Sequence, residues 1–322
     1  MTDIARFAMR YVLVTAAYNE ERYIEAVIRS VIAQGVHPSR WVIVSDGSTD
    51  GTDQIVLKYA AQYEFIELLR IEDEHPRNFA AQVIAINKGF GRLTNIDYDF
   101  IGNLDADVSF EPSYFSGLLD EFADDPSLGL AGGSIFERQD GQFKPRRTNR
   151  ESSVAHAVQF FRRECFEALG SEYLPLPHGG PDWYAVVRSR MNGWRVRSLK
   201  GLNVYHHRPP GGGNGWIRAS FRQGQMDHSL GTHPLFEVLR IGRRLRSRPF
   251  IVYACARLAG FLFSSLTFEQ RVVSREFVRF LRKEEIERLW RVFQRSAMFR
   301  RRSVEEPNRR DKRMGFAEHG KR

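Results

Sequence analysis

Apolar and polar positions along the first half of the chain alternate between two periods. Residues 11–15 (YVLVT) and 41–45 (WVIVS) are short β-branched runs, each followed by a polar turn and then a helical pattern, which predicts βαβ units. Between them, Tyr23, Val27 and Val31 run beside Ile24, Ile28 and Ile32 as two rows at i, i+4, i+8, one wide apolar helix face. Asn19 is placed to cap that helix, with Glu20 and Glu21 in its first turn, where the helix dipole favours acids. The rhythm continues with a helix from Thr49 to Gln62, a strand at FIELLRI, a helix from Asn78 to Arg92 and a strand at DFIGNLDAD. Repeated βα units imply a mostly parallel sheet covered by helices, with ligands gathered outside the carboxyl ends of its strands.

Farther along, the pattern predicts a helix from Pro112 to Asp124, a strand at LGLAGGSIF and a loop at KPRRTNRESS. QFFRRECFEALG reads as a strand or turn running into a helix, and Asp182 to Asn192 as a short amphipathic helix carrying Trp183, Val186 and Val187. WRVRSL and NVYHH read as strands. RPPGGGNG can be neither helix nor central strand and marks the end of the main domain or a loop at its mouth. Beyond it lies an apolar stretch of twenty residues from Pro249 with Arg257 near its middle. The stretch from Glu269 to Phe299 then sets Val272, Phe277, Phe280, Leu281, Leu289 and Phe293 among arginines, as an amphipathic helix does. This divides the chain into a main domain at 1–233, a helical basic and apolar segment at 234–302 and a charged, disordered tail at 303–322.

Charge changes the picture of that second half. The net charge is +9, yet from Arg240 onward 23 Lys and Arg face nine Asp and Glu, while the preceding residues carry 25 against 30. Such segregation suits contact with an anionic surface, of which nucleic acid and the cytoplasmic face of a membrane are the main candidates. Arg257 and several hydroxyls make the apolar stretch a poor membrane span and favour a helix lying in the plane of the interface, with spanning and core packing as the other readings. Two cysteines, Cys165 and Cys255, allow neither a disulfide framework nor a C-x-x-C site, which fits a reducing cytosol. The first residues do not read as a secretory signal.

The candidate chemistry lies at NLDADVS. Asp105 and Asp107, two apart, point to the same side of an extended strand, so two like charges crowd one spot. Either the strand ends in solvent on two turn-forming aspartates, or hard oxygen ligands are being gathered for a divalent cation. The turn after the first strand reads TAAYNEE, which excludes the glycine-rich dinucleotide fingerprint. No Walker lysine, H-E-x-x-H, G-x-S-x-G or zinc spacing occurs.

TAAYNEERYIEAVIRSVIAQ, VSDGSTDGT, RNFAAQVIAINKG, NLDADVSFEP and GGPDWYAVVRSRMNGW, in that order over roughly the first 200 residues, resemble family 2 glycosyltransferases. The resemblance implies the GT-A fold, an α/β Rossmann-like, mostly parallel sheet flanked by helices, here followed by the C-terminal helical, basic segment. It implies a nucleoside-diphosphate sugar as donor and Mg²⁺ or Mn²⁺ as metal. Ala17, Tyr18 and Glu20 then line the nucleoside pocket, Asp46 meets the base, Arg77 and Asn78 begin the helix beside it, Asp105 sits nearer the ribose or sugar, and Asp107 binds the metal. The same match makes Asp182 the base that accepts the proton of the acceptor hydroxyl in an inverting transfer, although Pro181-Asp182 stands where the family usually has Glu-Asp. A histidine after the strand NVY is implied to touch metal or diphosphate. Only one of His206 and His207 can face the cleft, and His206 is taken as the ligand.

FRQGQMD stands where processive members carry Gln-x-x-Arg-Trp, so transfer of a single sugar is expected. The acceptor implied is a saccharide or lipid-linked saccharide of surface or exopolysaccharide synthesis, met by a cytoplasmic protein peripheral to the inner face of the cell membrane. A homo-oligomer fits equally, and no nucleic-acid partner is expected. Two other classes compete. A nucleotidyltransferase making nucleotide sugars needs a glycine-rich basic loop that TAAYNEE is not. A basic nucleic-acid- or membrane-binding protein without catalysis explains the tail but leaves the acids at the sheet edge without a purpose.

Overall fold

The computed structural model describes residues 9–72, 79–208, 215–244 and 250–305. Its first half follows the predicted rhythm: β1 (Tyr11–Ala17), α1 (Ile24–Ile32), β2 (Arg40–Asp46), α2 (Thr52–Ala60), β3 (Ile66–Ile71), α3 (Phe79–Gly91) and β4 (Phe100–Asn103). β5 (Val108–Phe110), α4 (Tyr114–Asp124), β6 (Leu128–Gln139), β7 (Gln142–Pro145) and β8 (Phe160–Arg162) lead through α5 (Arg163–Glu167) and α6 (Pro181–Met191) to β9 (Arg195–His206). Four helices complete the described chain: α7 (Trp216–Ser229), α8 (Pro234–Arg244), α9 (Phe250–Leu266) and α10 (Arg275–Glu305). The sheet runs β3-β2-β1-β4-β8-β6-β9-β5, with β7 paired to β6. β1 to β4 are mutually parallel, β8 enters antiparallel between β4 and β6, and β6 and β9 are parallel to each other.

Both faces of the sheet are covered, and the period of two sorts the strand residues between them. Tyr11, Leu13, Trp41 and Ile43 pack under α1 and α4, against Ile24, Val27, Val31 and Phe115. Val12, Val14, Val42 and Val44 face the other way, under α3, against Val83, Ile86 and Phe90. The close seat of α3 depends on Gly89, where a Cβ would come within 2.5 Å of the Val14 side chain and 2.9 Å of Val44. A third cluster, Leu176, Val187, Leu230, Phe277 and Leu281, joins α6 to the C-terminal helices.

Several local expectations yield to longer-range bonds. Asn19 does not cap α1. It takes a left-handed backbone (φ 55°), and its Oδ1 accepts a 2.8 Å bond from the Thr49 amide, tying the β1–α1 turn to the β2–α2 turn. Glu21 joins the same seam by accepting from the Gly51 amide at 2.8 Å, and α1 begins only at Ile24. DFIGNLDAD is not one strand, because the chain turns between β4 and β5 with both aspartates in the turn. KPRRTNRESS begins in β7 rather than in a loop, and WRVRSL and NVYHH are one strand, β9, whose pairing with β6 shifts register between Gly133 and Ser134. α10 starts at Arg275, where Ser274 Oγ accepts from the Phe277 amide at 3.1 Å. Among the described residues no helix is long and apolar enough to cross a membrane. The charged tail from 306 onward lies outside the described residues.

Candidate active site

The carboxyl ends of β1, β2 and β4 share one edge of the parallel half-sheet, as the register Ala17 beside Ser45 and Val14 beside Asn103 requires. Ala17 ends β1, half-exposed Tyr18 follows it, and buried Asp46 ends β2 before Gly47, whose φ of 66° turns the chain away. Arg77 and Asn78 lie outside the described residues.

The acidic pair is held by a turn rather than by strand alternation. The Asp105 amide donates to the Ala157 carbonyl at 3.0 Å, and Val108 of β5 pairs with His206 of β9, so the turn delivers both carboxylates toward the end of β9. Asp105, Asp107 and His206 each offer one ligand atom, all within 4.8 Å of one another. His206 Nε2 stands 3.3 Å from Asp107 Oδ1, whereas the neighbouring ring turns away, with His207 Nε2 at 2.7 Å from Ser109 Oγ. Strand alternation thus puts the His206 ring, and not that of His207, beside the acidic pair.

Two residues not picked out as site residues complete the cluster. Arg208 donates from Nε to Asp107 Oδ2 at 3.0 Å and from a terminal nitrogen to Glu20, and it lies 5.6 Å over the Tyr23 ring. Its place directly after the candidate histidines was the available signal. His156, on a short 3₁₀ turn, reaches Asp105 Oδ1 with Nδ1 at 3.2 Å, beside a 3.2 Å bond from Gln82 Nε2 to the same oxygen. No local pattern marks His156. A buried set of amides around Tyr173 holds it: the hydroxyl sits between Asn103 Oδ1 and Gln159 Oε1, and Asn103 Nδ2 donates to the His156 carbonyl.

These contacts fix the charge states. Burial alone would raise the Asp105 carboxyl, but the hydrogen bond and charge of His156, reinforced by His206, hold it below its ordinary value. Burial would lower His206, and Asp107 overrides it and raises the imidazole above its ordinary value. His156 is raised in the same way by Asp105. Glu20 moves the other way: burial pushes it up to about 7 against the pull of Arg208, helped by the nearby charge of Asp107.

The donor set suits a divalent cation. Two carboxylates and one imidazole within coordination reach leave open positions for ligand oxygens, and Glu20 Oε2 is buried beside them with no hydrogen-bond partner among the described residues. A mixed oxygen and nitrogen set suits Mn²⁺ at least as well as Mg²⁺.

Asp182 stands apart from this cluster, at the second position of α6, after Gly180 in a left-handed conformation. Its carbonyl accepts from Gln159 Nε2 at 3.2 Å, its charge acts on His156, and its residue lines a cavity of about 650 Å³ between α6 and the C-terminal helices. The structure therefore brings Glu20, Asp105, Asp107 and His206 together and sets Asp182 between that group and a second space.

A mostly parallel α/β sheet thus carries an Asp-x-Asp turn and a histidine at its carboxyl edge. The glycosyl transferase family 2 model matches residues 12–188, and the chain belongs to that family. A poly-β-1,6-N-acetyl-D-glucosamine synthase of Staphylococcus aureus is 29% identical over 119 residues, which is 37% of this chain and 27% of that enzyme's length. Among solved structures, a mannosyltransferase from Pyrobaculum calidifontis in complex with GDP-Man and Mn²⁺ superposes with a TM-score of 0.52 at 16% identity, covering 90% of this chain and 83% of that one. S. aureus TarS 1–349 in complex with UDP-GlcNAc gives a TM-score of 0.52 at 15% identity, covering 85% and 80%. These likenesses bear out the GT-A fold.

Proposed function

We propose that the protein transfers one sugar, with inversion, from a nucleoside-diphosphate sugar to the hydroxyl of a saccharide acceptor. The observation that carries this is the meeting of Asp105, Asp107 and His206 at the carboxyl edge of the parallel strands in a family 2 chain. The presence of GDP-Man with Mn²⁺ and of UDP-GlcNAc in the two structural relatives supports the donor class. Asp107, Asp105 and His206 would hold the cation, which when bound supplies positive charge against the departing diphosphate.

The chain's own residues do the rest. His156 and Gln82 orient Asp105 through its Oδ1, and Arg208 adds a guanidinium at the same edge. Ala17, Tyr18 and Asp46 border the nucleoside, and Asp182 takes the proton of the attacking hydroxyl. Across from Asp182, the cavity among the C-terminal helices is the entry for the acceptor.

Peripheral attachment to an anionic membrane belongs to the same reading. One side of α9 packs on α7, where a Cβ on Gly224 would run into the Arg257 carbonyl and one on Gly260 into that of Phe221. Arg257, the charge that interrupts the apolar stretch, is buried there against Asp227 and Glu237 at 2.5 and 2.9 Å. The opposite side exposes Val252, Cys255, Ala259, Leu262, Phe263 and Leu266, an apolar stripe at helical spacing, and α7 adds exposed Trp216 and Ile217. An apolar stripe in a segment this rich in arginine is the composition of an interfacial helix, and lipid-linked acceptors would be met there.

The test is release of nucleoside diphosphate from a panel of nucleotide sugars with Mn²⁺, Mg²⁺ or chelator. Turnover that needs the metal and vanishes in Asp107→Ala supports the reading. Full activity of that variant overturns the metal assignment.

A further inference from the structure

The chain enters α6 through Gly179 and Gly180, both in left-handed backbone at φ 89° and 90°, and no side chain caps the helix. Glycine has wide conformational freedom, so this entry does not by itself fix the first turn, which carries Asp182. Ala185 and Val186 seat the body of the helix in the core. The first turn is met by Gln159, fully buried, whose Nε2 donates to the carbonyls of Asp182 and Val154, each at 3.2 Å. Gln159 is itself pinned at both ends. Its carbonyl accepts the Asn103 amide of β4 at 3.0 Å, and its Oε1 lies 2.6 Å from the buried Tyr173 hydroxyl, which also meets Asn103 Oδ1. Tyr173 is held in turn by Asn87, whose Oδ1 accepts its amide at 2.9 Å and whose Nδ2 donates to its carbonyl at 2.8 Å. The same short segment serves the acidic pair: the Ala157 carbonyl accepts the Asp105 amide at 3.0 Å, and His156 Nδ1 reaches Asp105 Oδ1 at 3.2 Å.

We propose that Gln159 is a positioning residue for the transfer step, holding the main chain of Asp182 at a fixed offset from the turn that carries Asp105 and Asp107. Residues 156–159 bond that turn and the first turn of α6 at once, so the two sites share one rigid reference. A general base works only within hydrogen-bond reach of the proton it takes, and a misplacement of about 1 Å can cost about 10²-fold in rate. Loosening the first turn of α6 therefore costs rate and spares donor binding. The role rests on the reading of Asp182 as the base.

The experiment is a double-mutant cycle on the full-length protein, with Gln159→Met, Asp182→Asn and both together. Release of nucleoside diphosphate is followed with the nucleotide sugar that the wild type turns over in Mn²⁺, using excess protein for the slow variants, and thermal melting checks the fold. Methionine keeps the length of the side chain and removes the amide. Gln159→Met should lower kcat at least about tenfold, with donor KM and Mn²⁺ affinity unchanged. In the Asp182→Asn background it should cost nothing further, because no base remains to be positioned. An unchanged kcat in Gln159→Met overturns the proposal, and so does an equal fall with and without Asp182, which leaves Gln159 a structural residue only. Should Gln159→Met fail to fold, Tyr173→Phe, which removes the hydroxyl facing Oε1, enters the same cycle; a defect undiminished in Asp182→Asn overturns the proposal there too. If Asp182→Asn alone leaves turnover intact, or the wild type turns over no nucleotide sugar, the transferase reading fails and the positioning role falls with it. A defect in Asp182→Asn beside none in Gln159→Met removes the positioning role alone.

Discussion

Replacing Arg208 by glutamine should make the protein bind Mn²⁺ more tightly. The guanidinium lies on Asp107 Oδ2 at 3.0 Å and also on Glu20, so it occupies lone pairs that a cation held by Asp105, Asp107 and His206 would use. The side chain of Arg208 is 47% exposed, which screens the pair, whereas that of Asp107 is only 9% exposed, which keeps the hydrogen bond from being negligible. About 1.5 kcal/mol, the low end for a charged hydrogen bond, is a fair value, and it corresponds to roughly tenfold in affinity. The assay is Mn²⁺ titration followed by electron paramagnetic resonance of the free ion, at pH 8, without donor. Glutamine keeps much of the length and polarity of the side chain, so the fold is retained, and thermal melting checks it. An affinity that is unchanged or weaker in Arg208→Gln refutes the idea that this guanidinium competes for the site.

Because Asp107 holds His206 above its ordinary imidazole value against the lowering effect of burial, and a coordinating nitrogen must be deprotonated, Mn²⁺ affinity should fall as pH drops, with proton release on metal binding visible by calorimetry in two buffers. Asp182→Asn should lower turnover by about 10²- to 10⁴-fold with donor affinity retained in a thermal-shift titration; loss of donor binding instead makes Asp182 a structural acid. Glu285 is raised to about 7 by burial against the pull of the His233 amide, so its ionisation costs nothing below its unfolded value near 4.5 and grows to roughly 3 kcal/mol as pH rises past 7. Glu285→Gln should therefore leave melting near pH 4.5 unchanged and raise it at pH 8. Ending the chain at Pro234 would strip α9 from α7 and uncover the Gly224 seam, so that fragment should aggregate, as light scattering would report.

The layered frame is legible in the chain itself. Alternation at Tyr11 to Val14 and at Trp41 to Val44 dictates a strand buried on both faces, because successive side chains must leave opposite sides and both sets are apolar. The acids at Glu20, Asp105 and Asp107 were legible because strand ends in such a sheet face one edge. Tertiary structure alone decided how they are used. Asn19 had a good local role as a cap and lost it to an amide in the next βα turn, thirty residues away, because the parallel pairing of β1 and β2 sets the two turns side by side. His156 is joined to Asp105 across 51 residues, and Arg208 to Glu20 across 188, separations at which no periodic signal survives. Arg257 illustrates the same limit from the other side. In sequence it is a charge that spoils an apolar helix, and in the fold it is the buried partner of Asp227 and Glu237, because burying a guanidinium is tolerable only where carboxylates from other helices meet it.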